Sequence, residues 1–175
     1  MITIMSRARW PAAIILLAAL AACGSTATTI GRNATPPRTP APTPSAQTAS
    51  AESLAARLKA AGLPVGHLIA YTAVTDPNHL LGRQGGYTSK VAWQDPRAIS
   101  AGAGDPASDP GGTEFGGGIE VFPTASGAQA RYQELRGIQP PLGDGYDYLS
   151  GNAVLRLSQY LTPAQAQAYR AAFNA

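Results

Sequence analysis

Leu54 and Leu58 in "SAESLAARLKAAGLP" fall on one face of a helical turn, and the residues around them punctuate a helix. Ser50 is placed to cap its amino end, Glu52 suits the positive end of the helix dipole, and Gly62 followed by Pro64 ends it. "HLIAYTAVT", His67 to Thr75, is rich in strand formers and closes on the turn residues Asp76, Pro77 and Asn78. "YTSKVAW" alternates as a second strand, with Tyr87, Ser89, Val91 and Trp93 on one face and Thr88, Lys90 and Ala92 on the other. "GIEVF" reads as a third strand. Between the last two lies a Gly, Ala, Asp and Pro segment near 96–117, too long for an ordinary connection and therefore either disordered or functional.

The helical period returns in "SGAQARYQELRGI", where Ser126 and Gln129 have capping-box spacing and Ala128, Tyr132 and Leu135 share a face. "YDYLSGNAVLRLS" is a hairpin, and a two-residue turn at Ser150–Gly151 or at Gly151–Asn152 leaves Tyr146, Tyr148, Leu155 and Leu157 inward in either case. Thr162, Pro163 and Gln165 then open a terminal helix that buries Tyr169 and Phe173. The order α-β-β-β-α-β-β-α predicts an α+β fold: a small, mostly antiparallel sheet of about five strands with helices packed on one face.

Ahead of this domain the composition changes twice. Arg7 and Arg9 precede an uncharged run from Trp10 to Ala22 that ends in small residues, the layout of an export signal. Pro11 to Ala22 is too short for a membrane span, which needs about 20 residues. Gly24 to Ala49 is almost entirely Thr, Ser, Ala and Pro with no acid, a composition that buries too little apolar surface to offset its ordering entropy and reads as a tether. The expected organisation is a signal over 1–22, a lipidated Cys23 with a disordered tether to 49, and one α+β domain over 50–175 whose loop near 96–117 is flexible.

Leu20, Ala21, Ala22 and Cys23 resemble the lipobox of bacterial lipoproteins. That resemblance implies that the Cys23 sulfur carries a diacylglyceryl group, that the signal is cut just before it, and that the protein sits on the extracytoplasmic face of the cell membrane. Cys23 is the single cysteine of the chain, so an intramolecular disulfide has no second partner. A plain cleaved signal is the competing reading. "YTAVTDPNHLLGRQGGYTSK" together with "GIEVF" is similar to small exported proteins of high-GC bacteria that carry no assigned activity, a resemblance that transfers no catalytic residue.

Charge excludes one class of partner. The formal net charge is +3, yet four of the arginines, Arg7, Arg9, Arg32 and Arg38, precede the domain. From Ser50 onward nine bases meet all ten acids, so no basic stripe exists to follow a nucleic-acid backbone. Zinc-ligand spacing, a Gly-any-Ser-any-Gly elbow and a P-loop are absent, and no cofactor is expected. Asp105, Asp109 and Glu114 lack the spacing of a calcium loop.

The stretch with most chemical content is the loop holding Asp76, Asn78, His79, Arg83, Gly85, Gly86, Tyr87 and Lys90, with Trp93 beside it. Gly85 and Gly86 could present consecutive N–H groups to an anion, with Arg83 and Lys90 adding charge; the plainer reading is a glycine turn into a strand. These observations lead to a non-enzymatic envelope lipoprotein whose tethered domain binds an envelope protein or a cell-wall glycan through this loop. The alternative is a small envelope hydrolase or transferase using His79 and Asp76 as an acid/base pair, for which the sequence supplies no nucleophile or metal.

Overall fold

The computed structural model describes residues 49–138 and 145–175. Cys23, the signal and nearly all of the tether lie outside the described residues. Ser50 caps α1 (Ala51–Ala60) as the sequence predicts, its hydroxyl accepting from the Ser53 N–H. Past the end of α1, Gly62 takes a positive φ of 82° while Leu63 N donates to Leu58 O, which satisfies the last carbonyls.

Five strands form one antiparallel sheet: β1 (Leu68–Ala70), β2 (Ser89–Gln94), β3 (Gly116–Val121), β4 (Tyr146–Ser150) and β5 (Ala153–Leu157), in the spatial order β1-β2-β3-β5-β4. β3 and β4 run parallel with β5 between them, joined by α3 (Ala125–Arg136) as a crossover; α4 (Pro163–Asn174) follows β5. The hairpin turns on Gly151 and Asn152, because Ser150 pairs with Ala153 and Gly151 adopts a positive φ of 56°. α4 begins with the full Thr162–Gln165 capping box and Pro163 in its first turn.

The predicted inward set is inward. Leu155 and Leu157 pack with Val91, Trp93, Ile119 and Val121 against Leu54 and Leu58 of α1 and Tyr169 and Phe173 of α4, and Tyr146 and Tyr148 close that layer. Truncating Leu155 to Ala should therefore cost ~2–5 kcal/mol in denaturant melts.

Several local readings shift. α3 does not join α1 and α4 on one face: Ala128 and Leu135 pack with Tyr87, Phe122 and Val154, and Val154 points away from its neighbours Ala153 and Leu155. The sheet is thus covered from both sides, with α3 over part of the second. The α3 cap is Thr124, whose hydroxyl accepts from Gly127 N, so Ser126 lies inside the first turn. β1 is three residues long because Thr72 and Thr75 exchange hydroxyl and backbone bonds and turn the chain. β2 starts at Ser89, after Tyr87 has turned to meet Phe122 edge-on at 5.7 Å between centroids.

The long connection is built of short pieces. Asp95 caps the single turn α2 (Pro96–Ala98), a wider turn over Ile99–Ala103 follows and is broken at Gly102 with a φ of 105°, and a 3-10 turn Thr113–Phe115 leads into β3. Buried Ala98 and Phe115 anchor its ends. Its later part is tied down where the Tyr71 hydroxyl donates to Gly111 O at 3.2 Å, Gln94 Nε2 donates to Pro110 O at 3.4 Å, and the Ser158 hydroxyl donates to Glu114 O.

Candidate functional site

Lys90, Ala92 and Gln94 of β2 point to the sheet face opposite α1 and α4, and the registers place Glu120 beside Lys90 and Gly118 beside Ala92. Next across come Arg156 beside Gly118 and Asp147 beside Arg156. Ala92 and Gly118 have almost no side chain, and α3 covers only one end of this face. What remains is a cleft of about 610 Å³, floored by Ala92, Gly118, Arg156 and Asp147 and walled by Leu135 and Ile138 on one side and Asp109 to Glu114 on another. Pro77, Asn78 and Lys90 form part of its rim.

Three charged groupings surround the cleft. Asp76, 0 % exposed, is the hub of the 76–90 loop. Its carboxylate accepts from Leu80 N at 2.9 Å, Leu81 N at 3.1 Å, the Tyr87 hydroxyl at 2.6 Å and Lys90 Nζ at 2.8 Å. Burial alone would raise its pKa, but bonds from Lys90, Tyr87 and Leu80 N overcome it and hold the carboxyl well below its ordinary 3.8. Burial and the bond to Asp76 push the Tyr87 hydroxyl far up, so it stays a donor. The Lys90 ammonium also lies 4.7 Å from the Tyr71 ring centroid.

Glu120, 2 % exposed near the end of β3, is held by Arg131 of α3 through Nε at 2.9 Å and Nη2 at 3.3 Å, and Arg131 also reaches Glu134 at 3.0 Å. Burial lowers the Arg131 pKa, and the two glutamates more than reverse that. This closed ion pair pins α3 to the sheet.

The third grouping is not closed. Arg156 and Asp147 face each other across β5 and β4, yet Nε of Arg156 stands 3.5 Å from Asp147 Oδ1 and is buried with no hydrogen-bond partner. Burial pushes the Asp147 carboxyl up against the pull of Arg156, marking a carboxyl poorly solvated and incompletely paired.

The loop residues separate into two sets. His79, Arg83 and Gly85 are exposed at the loop surface, while Asn78 is exposed on the cleft rim. Gly86 and Tyr87 are buried, and a Cβ on Gly86 would come 1.9 Å from Leu80 O, so that glycine permits a close backbone approach. Gly86 N donates to Arg83 O and Lys90 is taken by Asp76, so neither is free for an anion nest. Trp93 is core, 1 % exposed, with its ring 5.9 Å from that of Tyr169. His79 has a positive φ of 54° and donates its backbone N–H to Asp76 O, and no hydrogen bond joins its side chain to the Asp76 carboxylate. Among the described residues no three His, Cys, Asp or Glu side chains stand close enough to hold a metal ion, and no helix is long and apolar enough to cross a membrane.

Sequence reasoning passes over Glu120, Arg131 and the cleft role of Asp147 and Arg156. One signal was present: alternation alone puts Lys90, Glu120, Asp147 and Arg156 on a single sheet face, and four ionisable residues there mark a surface that is not simply solvated. Comparison with protein-family models, curated proteins and solved structures finds no match to this chain.

Proposed function

We propose that this protein is a lipid-anchored domain on the extracytoplasmic face of the cell membrane that binds a ligand, without transforming it, in the cleft over β2, β3, β5 and β4. The observation that carries the binding reading is Arg156, a cation lining the cleft whose buried Nε–H has nothing to donate to. A buried donor left unmade costs about 1–3 kcal/mol, and a ligand anion that draws the guanidinium away from Asp147 would recover part of it. The rim residues Pro77, Asn78 and Lys90 bring both ends of the 76–90 loop to this site, while its exposed tip stands outside it. An acid/base pair of His79 and Asp76 is disfavoured, because the Asp76 oxygens already accept from five side-chain and backbone donors.

The anchored location rests on the charged and apolar segments before Cys23 and on the lipobox resemblance of residues 20–23. Its test is metabolic labelling with a radioactive fatty acid followed by fractionation. The wild-type chain should carry label and sediment with membranes, and Cys23→Ser should lose both. A Cys23→Ser protein that is processed and still partitions with membranes contradicts the anchor.

A further inference from the structure

The charges left over once the closed pairs are set aside define what the cleft can hold. Lys90 is consumed by Asp76, and Glu120 by Arg131. That leaves Arg156 as the cation of the floor held only loosely, at 3.5 Å from an Asp147 that burial pushes toward its neutral form, with the exposed Asp109 and Glu114 on the loop wall. A polyanion such as a phosphate ester would meet Arg156 but would be repelled by the wall. A simple cation would suit the wall and leave the Arg156 Nε–H unanswered.

We propose that the cleft binds a small zwitterion, an amino acid or a dipeptide, its carboxylate on the guanidinium of Arg156 and its ammonium toward Asp109 and Glu114. The Nε and Nη groups of an arginine form a planar fork that matches the two oxygens of a carboxylate. The Nε edge of that fork is closed to solvent beside Asp147, so the carboxylate meets the Nη edge, on a side chain that is 25 % exposed. The volume of 610 Å³ lies within the roughly 300–1,000 Å³ typical of small-ligand sites. Leu135 and Ile138 provide an apolar wall for a ligand side chain. This inference rests on the cleft being the binding site, and deepens that reading by naming the ligand class.

The test is isothermal titration of the full chain, in detergent micelles, with alanylalanine, its C-terminal amide, its N-acetyl derivative and the neutral sugar chitotriose. Alanylalanine should bind, and the amide, which lacks the carboxylate, should bind at least about tenfold more weakly. Arg156→Gln should weaken alanylalanine by a similar factor and leave the amide unchanged, a non-additivity that general damage to the fold would not produce. Arg156→Lys, which keeps the charge and loses the fork, should fall between. If Arg156→Gln fails to fold, the acid-against-amide comparison on the wild-type chain still decides. Equal binding of acid and amide, or no heat from any dipeptide at millimolar concentration, overturns the zwitterion. Chitotriose binding while the dipeptides stay silent overturns the ligand class and leaves the cleft standing as a site. Silence from all four overturns the ligand class too, and occupancy of the cleft in cells then decides the broader reading on its own.

Discussion

Asp76→Ala should destabilise the domain by ~3–5 kcal/mol, because it strands the Lys90 ammonium, 9 % exposed, without its counter-charge. It also leaves Leu80 N, Leu81 N and the buried Tyr87 hydroxyl without their acceptor. Adding Lys90→Met should recover a large part of the loss, since the double variant buries no lone charge. Urea melts of the two singles and the double supply the coupling directly. The same residue sets part of the acid response. The folded Asp76 carboxyl titrates below its ordinary 3.8, so its contribution is complete above that value and is lost as pH falls toward the folded value. Asp147, pushed up by burial, works the other way: its contribution is present at low pH and disappears as pH rises through its folded value. Asp76→Asn should therefore flatten the loss of stability below pH 3.8; an acid limb identical to wild type would show that the carboxylate is not the hub.

Trp93→Ala should cost a further ~3–5 kcal/mol, the range for truncating a buried aromatic. The indole fills the space that Gly117 leaves by having no side chain: a Cβ there would stand 2.7 Å from Trp93 Cζ2 and 2.8 Å from Arg156 O. Trp93→Phe should cost less, because it keeps most of the apolar volume and removes an indole N–H that is buried without a partner. Were Trp93 a surface contact, Trp93→Ala would leave the melt unchanged and reduce binding alone. Melts of the two variants tell these roles apart.

The contrast between Trp93 and Arg156 shows how far the sequence carries. Period-two alternation puts Leu155 and Leu157 inward and Arg156 and Asp147 on the opposite face, as the structure has them; alternation leaves two possible turns open, and the Gly151–Asn152 turn that the structure adopts is the one that sets Asp147 across from Arg156. What alternation could not supply is the covering of the second face. α3 has a narrow apolar stripe, and its docking there depends on Arg131 meeting Glu120 across eleven residues of chain, a pairing no local pattern encodes. Once α3 and the 103–114 wall cover that face, residues that read as solvated become the lining of a cleft. Trp93 reads as a neighbour of the candidate binding loop because it follows the glycine-rich stretch, yet it shares a face with Val91 and so belongs to the core. Asp76 looked like half of a catalytic pair because His79 is three residues away; the backbone N–H groups that converge on it are visible only once the turn is built.

The most direct test of a tethered domain with an occupied cleft is the rate at which a membrane-impermeant maleimide labels single introduced cysteines, in intact cells and on the purified chain. Ile138→Cys places the thiol at the cleft wall, and Val74→Cys places it at an 89 % exposed position on the Thr72–Thr75 turn. The account predicts that Val74→Cys labels equally fast in both settings, while Ile138→Cys labels markedly more slowly in cells, where the ligand covers it. Labelling that requires permeabilised cells contradicts the extracytoplasmic location, and equal rates for Ile138→Cys in both settings contradict the occupied cleft.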